Sequence, residues 1–469
     1  MPTIEADICV IGGGSGGLSV AAGAVQLGAR TVLIEKGRMG GDCLNYGCVP
    51  SKALLAAAKA AAGIGRARRF GVDAGTPAVD FARVRAHVRD VIAAIAPQDS
   101  VARFTGLGVT VLPVAARFVD RDTVEAGGDR VRARRFVVAT GSSPFIPPVP
   151  GLADIPYLTN ETVFDIEARP EHLLIVGGGP IGIEMAQAYR RLGSRVTVLE
   201  AATILPKDDP ELVEVVRRRV AAEGVDLREG AKVAAIARQA DRIAATLEGG
   251  DRIVGSHVLV AAGRRPTVAG LGLENAGVAY TAKGVTVDRR LRTSNRRIFA
   301  VGDATGGYQF THVAGYHAGI VLRNALFRLP ARVDDRAVPW VTYTDPELAQ
   351  VGLGERAARE RGAVHVLRWP FAENDRAQAE RETDGLVKVV TGRRGRILGA
   401  GIVGAQAGEL IQPWILAVAR GMRIGAMAQM IAPYPTLGEA GKRAAGSYFT
   451  PALFSDRTRR IVRLLARLG

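Results

Sequence analysis

The sequence predicts an α/β fold built around two Rossmann-like units. A strand, a glycine-rich turn and a helix occur twice, and each time a second strand follows and leads to an acidic residue. The composition agrees, because 48% hydrophobic residues and 57 glycines in 469 residues suit an α/β enzyme with many tight turns. A chain of this length exceeds one hydrophobic core, so we expect roughly two to four domains.

The first unit begins with a strand predicted over residues 7–11. The turn after it fits the pattern G-x-G-x-x-G through Gly12, Gly14 and Gly17. Such glycines let backbone N–H groups approach a pyrophosphate at a helix N-terminus. A helix that ends at Leu27 and a strand over residues 31–34 follow, and Glu35 comes directly after the strand. A carboxylate there can accept a hydrogen bond from an adenosine ribose hydroxyl, so this unit is predicted to bind a dinucleotide.

The second unit repeats the first. A strand over residues 172–176 leads to a turn with the same spacing, formed by Gly177, Gly179 and Gly182. A helix that ends at Leu192 and a strand over residues 195–199 follow, and Glu200 takes the place of the acid. Glu200 would repel a 2′-phosphate, and no arginine stands immediately after it to receive one, which favours NADH over NADPH.

Two cysteines, Cys43 and Cys48, are separated by four residues and precede an Ala/Leu-rich helical stretch over residues 53–62. A helix N-terminus stabilises a thiolate, so such a pair cycles readily between dithiol and disulfide. Two dinucleotide sites and a dithiol together indicate one exchanging and one permanently held cofactor, and the permanent one is predicted to be a flavin. Cys9 lies in an apolar run and is predicted to be an inert core thiol.

Cysteine count, hydropathy and charge narrow the class of protein. Three cysteines cannot form the disulfide framework of a secreted domain. The first strand begins by Asp7, which leaves no room for a signal peptide, and no stretch approaches the ~18 consecutive apolar residues of a membrane span. We therefore expect a cytoplasmic protein. The net charge of +16 is interpreted as solvated basic faces, and without a recognised motif we expect no nucleic-acid partner.

The C-terminal segment, residues 455–469, has the pattern of a basic amphipathic helix. Its apolar residues at helical spacing are Ile461, Val462, Leu464, Leu465 and Leu468. The arginines between and before them are Arg457, Arg459, Arg460, Arg463 and Arg467. We expect this helix to dock on the protein's own body, with peripheral contact to an anionic membrane surface as the alternative.

Further motifs extend the analysis over nearly the whole chain. They are Gly41-Asp42-Cys43 to Lys52, Ala139-Thr140-Gly141-Ser142, Gly263-Arg264-Arg265-Pro266, the run 298–303 that ends at Asp303, and the run 341–347. With the two glycine motifs, they resemble the pyridine nucleotide–disulfide oxidoreductases, which include lipoamide dehydrogenase, glutathione reductase and mercuric reductase. The resemblance implies a homodimer with two Rossmann-like dinucleotide-binding domains of the glutathione-reductase type and an α+β C-terminal dimerisation domain. It divides the chain into a first FAD-binding part (1–150), an NAD(H)-binding domain (151–264), a second FAD-binding part (265–335) and the dimerisation domain (336–469).

The resemblance also implies roles for individual residues. Cys48 is expected against the flavin ring as a charge-transfer thiolate, and Cys43 is expected to be the interchange thiol that meets the substrate. Lys52 is expected near the flavin N5 and paired with Glu184, because a fixed positive charge favours reduced flavin and the acid offsets its burial. An ordinary helix-surface acid is the alternative for Glu184. The other cofactor-binding residues that the motifs imply are Thr140, Gly141, Gly263 and Asp303, the last on the ribityl chain.

One position departs from the thiol-substrate members of the family. They carry a His before a Pro-Thr pair, where this chain has Tyr434, and a Glu after it, which is present as Glu439. Their His reaches across the dimer as acid and base for the interchange thiol, whereas a tyrosine, with an ordinary pKa of about 10, is a poor base at pH 7. A tyrosine at this position resembles the corresponding segment of mercuric reductases. Residues 464–469, however, contain no counterpart of the C-terminal vicinal cysteines of those enzymes. A soft metal ion is therefore expected to meet Cys43 and Cys48 directly, and no resident metal site is predicted.

Two further positions leave alternatives open. In the family, the helix after Asp303 points its N-terminus at the flavin, which predicts His312 near the flavin. His312 and His317 are interpreted as capping and packing residues, with His317 as a replacement base as the alternative. Asp42, where the better-known relatives have Thr, is interpreted as a helix cap, with tuning of the thiol pKa as the alternative.

These observations predict an FAD-dependent, homodimeric NADH:acceptor oxidoreductase with a redox-active Cys43–Cys48 disulfide. NADPH is the less favoured donor, and the acceptor is expected to be a thiophilic metal ion or a small electrophile. The alternatives are a dihydrolipoamide dehydrogenase and a membrane-associated electron-transfer subunit.

Overall fold

The computed structural model describes residues 2–468, which form two compact units. The first unit contains the residues up to 201 and 226–334, and the second contains 202–225 and the residues from 335 onward. Across residues 2–468, no helix is both long enough and apolar enough to cross a membrane. The same residues include no group of three or more His, Cys, Asp or Glu side chains that could hold a metal ion.

The first 150 residues contain most of one sheet and five α-helices. In chain order the elements are β1 (Thr3–Ile11), α1 (Ser15–Gln26), β2 (Thr31–Ile34), α2 (Gly41–Asn45), α3 (Cys48–Ala67), α4 (Phe81–Ile95), α5 (Val101–Gly106), β3 (Thr110–Leu112), β4 (Ala116–Phe118), β5 (Thr123–Ala126), β6 (Asp129–Val138) and β7 (Ser142–Pro144). Helix α3 thus begins at Cys48 rather than at residue 53, and β1 begins earlier than residue 7.

The first sheet has the strand order β3-β2-β1-β6-β5-β4. Its strands β3, β2, β1 and β6 are parallel, and β4 and β5 continue it as antiparallel strands. Alternate side chains of β1 enter cores on opposite faces: Ile8 and Val10 on one, Cys9 and Ile11 on the other. Burial raises the pKa of the Cys9 thiol, so this cysteine is inert in the core.

The second glycine-rich turn belongs to a separate sheet. The elements that follow are β8 (His172–Val176), α6 (Pro180–Arg191), β9 (Arg195–Leu199), α7 (Pro210–Ala222), β10 (Asp226–Arg228), β11 (Val233–Gln239), β12 (Arg242–Leu247), β13 (Arg252–Gly255), β14 (His257–Val260), β15 (Arg264–Pro266), β16 (Tyr280–Thr281), β17 (Gly284–Val285), β18 (Ile298–Ala300) and α8 (Thr311–Ala325). Helix α7 belongs to the second compact unit, and the other elements of this stretch belong to the first compact unit.

The remaining strands of the first compact unit form further sheets or return to the first sheet. Strands β10-β9-β8-β14 form a parallel sheet, and β11-β12-β13 form an antiparallel one. Strand β18 returns to the first sheet as a parallel neighbour of β6, so that sheet is built from two separate stretches of chain. Strand β15 pairs with β7, which joins the two connections between the sheets. The predicted pair of Rossmann-like units is therefore observed.

The second unit is an α+β structure around one antiparallel sheet. Its remaining elements are β19 (Pro339–Thr342), β20 (Glu347–Gly352), α9 (Glu355–Arg359), β21 (His365–Pro370), α10 (Asp375–Glu380), β22 (Leu386–Thr391), β23 (Ile397–Gly404), α11 (Ala407–Leu410), α12 (Gln412–Ala419), α13 (Ile424–Ala428), α14 (Glu439–Ser447), α15 (Thr450–Leu453) and α16 (Asp456–Leu465). The strand order is β19-β20-β23-β22-β21. The core beneath it includes Phe371 and Trp414, both fully buried.

A buried lysine ties this sheet to α7. Lys388 Nζ on β22, in a side chain only 5% exposed, lies 2.8 Å from Asp209, 2.9 Å from Glu211 and 2.9 Å from Glu355. Burial alone would lower the pKa of Lys388, but the three carboxylates outweigh it and raise that pKa. Hydrogen bonds from Lys388 and from a neighbouring arginine lower the pKa of Glu355 to about 2. The cluster is a fully paired ionic contact within the second unit.

Helix α16 confirms the helix predicted for the C-terminal segment, but the expectation that it docks on the protein's own body is wrong. Ser455 caps the helix by accepting a hydrogen bond from the Thr458 N–H at 3.3 Å. No residue of α16 is buried. Gly469, the last residue of the predicted segment, lies outside the described residues.

Candidate active site

The first glycine-rich turn joins β1 to α1 and has the shape of a phosphate cradle. Gly12 has a φ of +112°, and a Cβ there would lie 2.3 Å from the Ala139 carbonyl oxygen. A Cβ on Gly17 would lie 1.8 Å from the Gly12 carbonyl oxygen, so both positions are closed to side chains. A Cβ on Gly14 would meet only the Gly41 Cα, at 3.8 Å. The middle glycine therefore leaves room at the helix N-terminus where a diphosphate can approach the backbone.

The second turn, between β8 and α6, repeats this geometry. Gly177 has a φ of +115°, and a Cβ there would lie 2.5 Å from the Ala261 carbonyl oxygen. A Cβ on Gly182 would lie 2.0 Å from the Gly177 carbonyl oxygen, whereas one on Gly179 would meet nothing within 4 Å. The two turns are thus two copies of one structural solution, each with closed outer positions and an open middle one.

The two predicted acids lie beside these turns. The carboxylate of Glu35 accepts hydrogen bonds from the Gly13 N–H and, at 2.6 Å, from the Gly37 N–H. The carboxylate of Glu200 accepts one from the Gly178 N–H at 2.6 Å. Each acid is therefore held at the edge of its cradle, where the ribose of a bound dinucleotide needs a hydrogen-bond acceptor. Both sites fit a dinucleotide.

The two cysteines stand on adjacent helices. Cys43 lies in α2 and is half-buried, whereas Cys48 is the first residue of α3 and is exposed. Both are free thiols. The Cys48 Sγ lies 3.5 Å from the Thr311 Oγ1, in the first turn of α8. The thiol pair therefore lies beside the N-terminal turns of α3 and α8, a position that favours a thiolate.

The pKa values of the two thiols are shifted in opposite directions. A hydrogen bond from Cys43 is the largest cause that lowers the pKa of Cys48, to about 6, and the Thr311 hydroxyl and the Lys52 charge lower it further. The same hydrogen bond, together with burial, raises the pKa of Cys43. At neutral pH the pair therefore holds one proton, on Cys43, and Cys48 is the thiolate.

Lys52 lies one turn along α3 from Cys48. Its Nζ donates a hydrogen bond to the Glu184 Oε2 at 2.8 Å. The Glu184 side chain, on α6, is only 5% exposed, and that of Lys52 is 37% exposed. The geometry excludes the helix-surface alternative for Glu184 and fixes the lysine charge next to the thiol pair.

Asp303 is surrounded by a network that the sequence analysis did not assign. Its Oδ2 accepts a hydrogen bond from the Ser142 hydroxyl at 2.6 Å and lies 3.9 Å from the Arg264 Nε. Arg264 in turn donates to the Ser142 hydroxyl at 2.7 Å and to the Ser142 carbonyl at 2.8 Å. Burial raises the pKa of Asp303, although Ser142 and Arg264 oppose this rise. The network joins β7, β15 and the turn after β18.

Asp42 belongs to the same network, so the interpretation of Asp42 as a helix cap is wrong. The N-terminus of α2 has no side-chain cap. The Asp42 Oδ1 instead lies 3.2 Å from an Arg264 nitrogen and accepts a hydrogen bond from the Asn160 amide at 2.9 Å. The charge of Asp42 opposes the lowering of the Cys48 pKa. Arg264 and Asn160 are site residues that the sequence analysis missed, and the one available signal was the arginine within the Gly263 motif.

The predicted residues Thr140, Gly141 and Gly263 lie where the chain crosses between the two sheets. The Thr140 hydroxyl donates to the Thr267 carbonyl at 2.6 Å, and the Thr267 N–H donates to the Gly141 carbonyl at 2.9 Å. The Gly263 carbonyl accepts from the Phe145 N–H at 2.9 Å. These hydrogen bonds link the two chain segments that connect the sheets, residues 140–145 and 263–267.

The two histidines of α8 have different surroundings. His312 is exposed in the first turn, and its ring stacks on Phe310 with centroids 5.2 Å apart. His317 is buried, and its Nδ1 accepts a hydrogen bond from the Gly302 N–H at 3.2 Å. This arrangement favours packing roles over the alternative of His317 as a replacement base.

Tyr434 lies in the second unit, in an exposed run before α14. Its side chain is 70% exposed, and its hydroxyl donates a hydrogen bond to the Asp375 Oδ2 at 3.0 Å. This bond, with the charge of Asp375 and a smaller effect of Glu439, raises the pKa of Tyr434 above its ordinary value of 10. Glu439 is the first residue of α14. Tyr434 therefore holds its proton more tightly than a free tyrosine does, and even less of it is phenolate at pH 7.

Comparison with known proteins agrees with this architecture. Residues 6–318 match the family described as pyridine nucleotide-disulphide oxidoreductase, and residues 338–445 match its dimerisation domain. The mercuric reductase of Streptomyces lividans is 37% identical over 454 residues, which cover 94% of this chain and 96% of that protein. The dihydrolipoyl dehydrogenase of Geobacillus stearothermophilus is 35% identical over 454 residues, with the same two coverages.

A solved structure has the same fold. The Cu(II) complex of the HOCl-induced flavoprotein disulfide reductase RclA from Escherichia coli superposes with a TM-score of 0.85 at 28% identity, over 93% of this chain and 99% of that one. The predicted glutathione-reductase-like fold with a dimerisation domain is thereby confirmed. The chain belongs to the pyridine nucleotide-disulphide oxidoreductases, a family of FAD-dependent enzymes.

Proposed function

We propose that this enzyme is an NADH:acceptor oxidoreductase whose Cys43–Cys48 dithiol reduces a thiophilic metal ion or a small electrophile. One observation carries the proposal: the chain combines a low-pKa thiolate at Cys48 with a proton-holding tyrosine, Tyr434, where thiol-substrate relatives have a basic histidine. An acceptor that takes electrons without a protein base suits this combination.

The residues of the first cradle suit FAD. The open N-terminus at Gly14 would hold the diphosphate, Glu35 the adenosine ribose, and Asp303 the ribityl chain. Lys52, fixed by Glu184, would place its charge at the flavin ring. Bound FAD supplies two-electron transfer between a nicotinamide and a disulfide.

The second cradle suits the nicotinamide donor. The carboxylate of Glu200 stands beside the turn of Gly177, where it would bind ribose hydroxyls and repel a 2′-phosphate. We therefore propose NADH as the donor. We also propose the four-part domain division at residues 150, 264 and 335, and the match to the dimerisation domain supports a homodimer.

The thiol chemistry balances without a base. A soft metal ion binds the Cys48 thiolate and then displaces the proton of Cys43, which passes to water. Formation of the Cys43–Cys48 disulfide bond releases two electrons, which reduce one Hg(II) to Hg(0) or two Cu(II) to two Cu(I). A dihydrolipoamide substrate differs, because its own thiols must first be deprotonated by a protein base.

The relatives support both the proposal and its alternative. Mercuric reductase is the description of several relatives, and the RclA structure is a Cu(II) complex. Dihydrolipoyl dehydrogenase activity is the second candidate, favoured by the 35% identical Geobacillus enzyme and by the presence of Glu439. The missing imidazole places it second.

The first experiment measures NADH oxidation by the FAD-loaded enzyme with Hg(II), Cu(II), a quinone, lipoamide and glutathione disulfide. We expect a metal ion or a small electrophile to give the highest kcat/KM, and we expect Cys43→Ser to abolish that activity. Cys9→Ala is the matched control, since it removes a cysteine outside the redox pair. Lipoamide or glutathione disulfide as the best acceptor would refute the proposal.

The second experiment restores the family residue. Tyr434→His would place an imidazole before Glu439, and we expect dihydrolipoamide oxidation to rise by about 10²-fold, the usual contribution of general base catalysis. Metal reduction should change by less than about threefold. High dihydrolipoamide turnover in the unmodified enzyme, with no gain in Tyr434→His, would favour the second candidate instead.

A further inference from the structure

Helix α16 presents an uncovered apolar face. The side chains on this face are between 47% and 60% exposed, and they are Ile461, Val462, Leu464 and Leu465. Leu453 and Phe454, which precede the helix in the chain, are also exposed, at 58% and 63%, as is Leu468 after it, at 78%. A cluster of exposed apolar side chains on one helix face marks an interaction site.

Most of the arginines of α16 lie on the opposite face. At about 100° per residue, the four apolar side chains of the helix span an arc of about 160°. The arginines centred on the other side are Arg459, Arg460 and Arg463. A helix with a broad apolar arc and an arginine-rich polar face has the character of helices that lie in the plane of a bilayer surface.

We propose that α16 binds the surface of a bilayer that contains anionic phospholipid, with its apolar face inserted at the boundary between head groups and acyl chains. The helix follows the segment that matches the dimerisation domain, which ends at residue 445. Its charge complements an anionic surface and agrees with the net charge of +16 of the whole chain.

A second copy of the chain is the competing occupant, and Arg457 argues against it. The angular position of Arg457 falls within the apolar arc, between those of Leu464 and Ile461. Pairing of two such faces would bury this arginine without a carboxylate on the apolar arc to receive it. At a bilayer, its long side chain can extend to the phosphate layer while its stem stays apolar.

The test is co-sedimentation of the full-length, FAD-loaded enzyme with vesicles. One set contains phosphatidylcholine alone, and the other contains about one third phosphatidylglycerol. We expect binding to the anionic vesicles at least about tenfold tighter than to the neutral ones, and weaker as salt rises. Leu464→Asp with Leu465→Asp should weaken binding at least about 100-fold. Arg460→Gln with Arg463→Gln should weaken it about 30-fold, because each arginine near the surface contributes roughly fivefold.

Matched control variants distinguish binding through α16 from binding through exposed apolar residues or arginines elsewhere on the protein. Val72→Asp with Leu329→Asp changes two equally exposed apolar residues of the first unit, and Arg393→Gln with Arg394→Gln removes two exposed arginines elsewhere. Both should bind like the unmodified protein, and NADH oxidation with a soluble acceptor should be the same in all of these variants. Equal loss in helix and control variants would overturn the proposal. So would an absence of vesicle binding together with a larger oligomer that disappears when the chain is truncated before Ser455.

Discussion

Replacing Cys43 by alanine should raise the pKa of Cys48, because the hydrogen bond from Cys43 is the largest cause of its lowering. With a pKa of about 6, Cys48 is about 90% thiolate at pH 7, whereas a thiol with the ordinary pKa of 9.0 is about 1% thiolate. The Thr311 and Lys52 effects remain in Cys43→Ala, and the charge of Asp42 opposes them. We expect the midpoint to move above pH 7.

The assay is the rate of iodoacetamide alkylation of the reduced, FAD-loaded enzyme as a function of pH, since only the thiolate reacts. A midpoint above pH 7 corresponds to a rate at pH 6 that is lower by about fivefold or more. Cys43→Ser keeps an O–H donor and should fall between the unmodified enzyme and Cys43→Ala. Cys9→Ala should leave the curve unchanged. A Cys43→Ala midpoint equal to that of the unmodified enzyme would refute the assignment of Cys43 as the proton-holding donor.

Three further predictions concern the charged residues Lys52, Asp42 and Glu355. Lys52→Met should destabilise the protein by about 1.5–3 kcal/mol in urea unfolding, because it removes a charged hydrogen bond to the nearly buried Glu184, and Lys52→Met with Glu184→Leu should recover most of that loss. Asp42→Asn should move the alkylation midpoint of Cys48 to lower pH, since the Asp42 charge raises that pKa; a midpoint that rises would contradict the network described above. Glu355 has a pKa of about 2 in the folded protein against 4.5 ordinarily, so its contribution to stability is complete above about pH 4.5 and is lost as pH falls toward 2. Urea midpoints measured from pH 6 to 3 should therefore fall more steeply for the unmodified protein than for Glu355→Gln, and parallel curves would count against the ionic cluster.

The parts of the fold that the sequence predicted well are encoded locally. The predicted strands over residues 31–34, 172–176 and 195–199 coincide with β2, β8 and β9. Each lies within about 25 residues of its glycine turn, and both the turn and the acid follow from the backbone geometry that a dinucleotide requires. Each Rossmann-like unit can therefore be predicted from one continuous stretch of sequence.

The start of α3 was predicted too late, although a local signal existed. The helix begins at Cys48, two residues before Pro50. Proline is tolerated in the first turn of a helix, where its missing N–H has no intrahelical acceptor. Pro50 therefore marked the helix start, and the alanine-rich run after it marked only the interior.

The contacts of Asp42 could not be predicted from local sequence. Its partners, Asn160 and Arg264, are far away in the chain and are brought to it by the two crossings between the sheets. Local reasoning offered a helix cap because aspartate is common there. Tertiary pairing with a guanidinium gives the same residue a different role, and only the fold reveals it.

The two departures from the family, at Asp42 and Tyr434, both concern protons. Asp42 adds a negative charge that opposes the Cys48 thiolate, and Arg264 offsets that charge from within the same unit. The thiolate is therefore set by residues of the first unit and does not require a base at position 434. Tyr434→His should then raise dihydrolipoamide turnover while the alkylation midpoint of Cys48 stays within about half a pH unit of that of the unmodified enzyme. A larger shift of the midpoint in Tyr434→His would mean that the residue at position 434 also controls the Cys48 thiolate, and that the two proton sites are not independent.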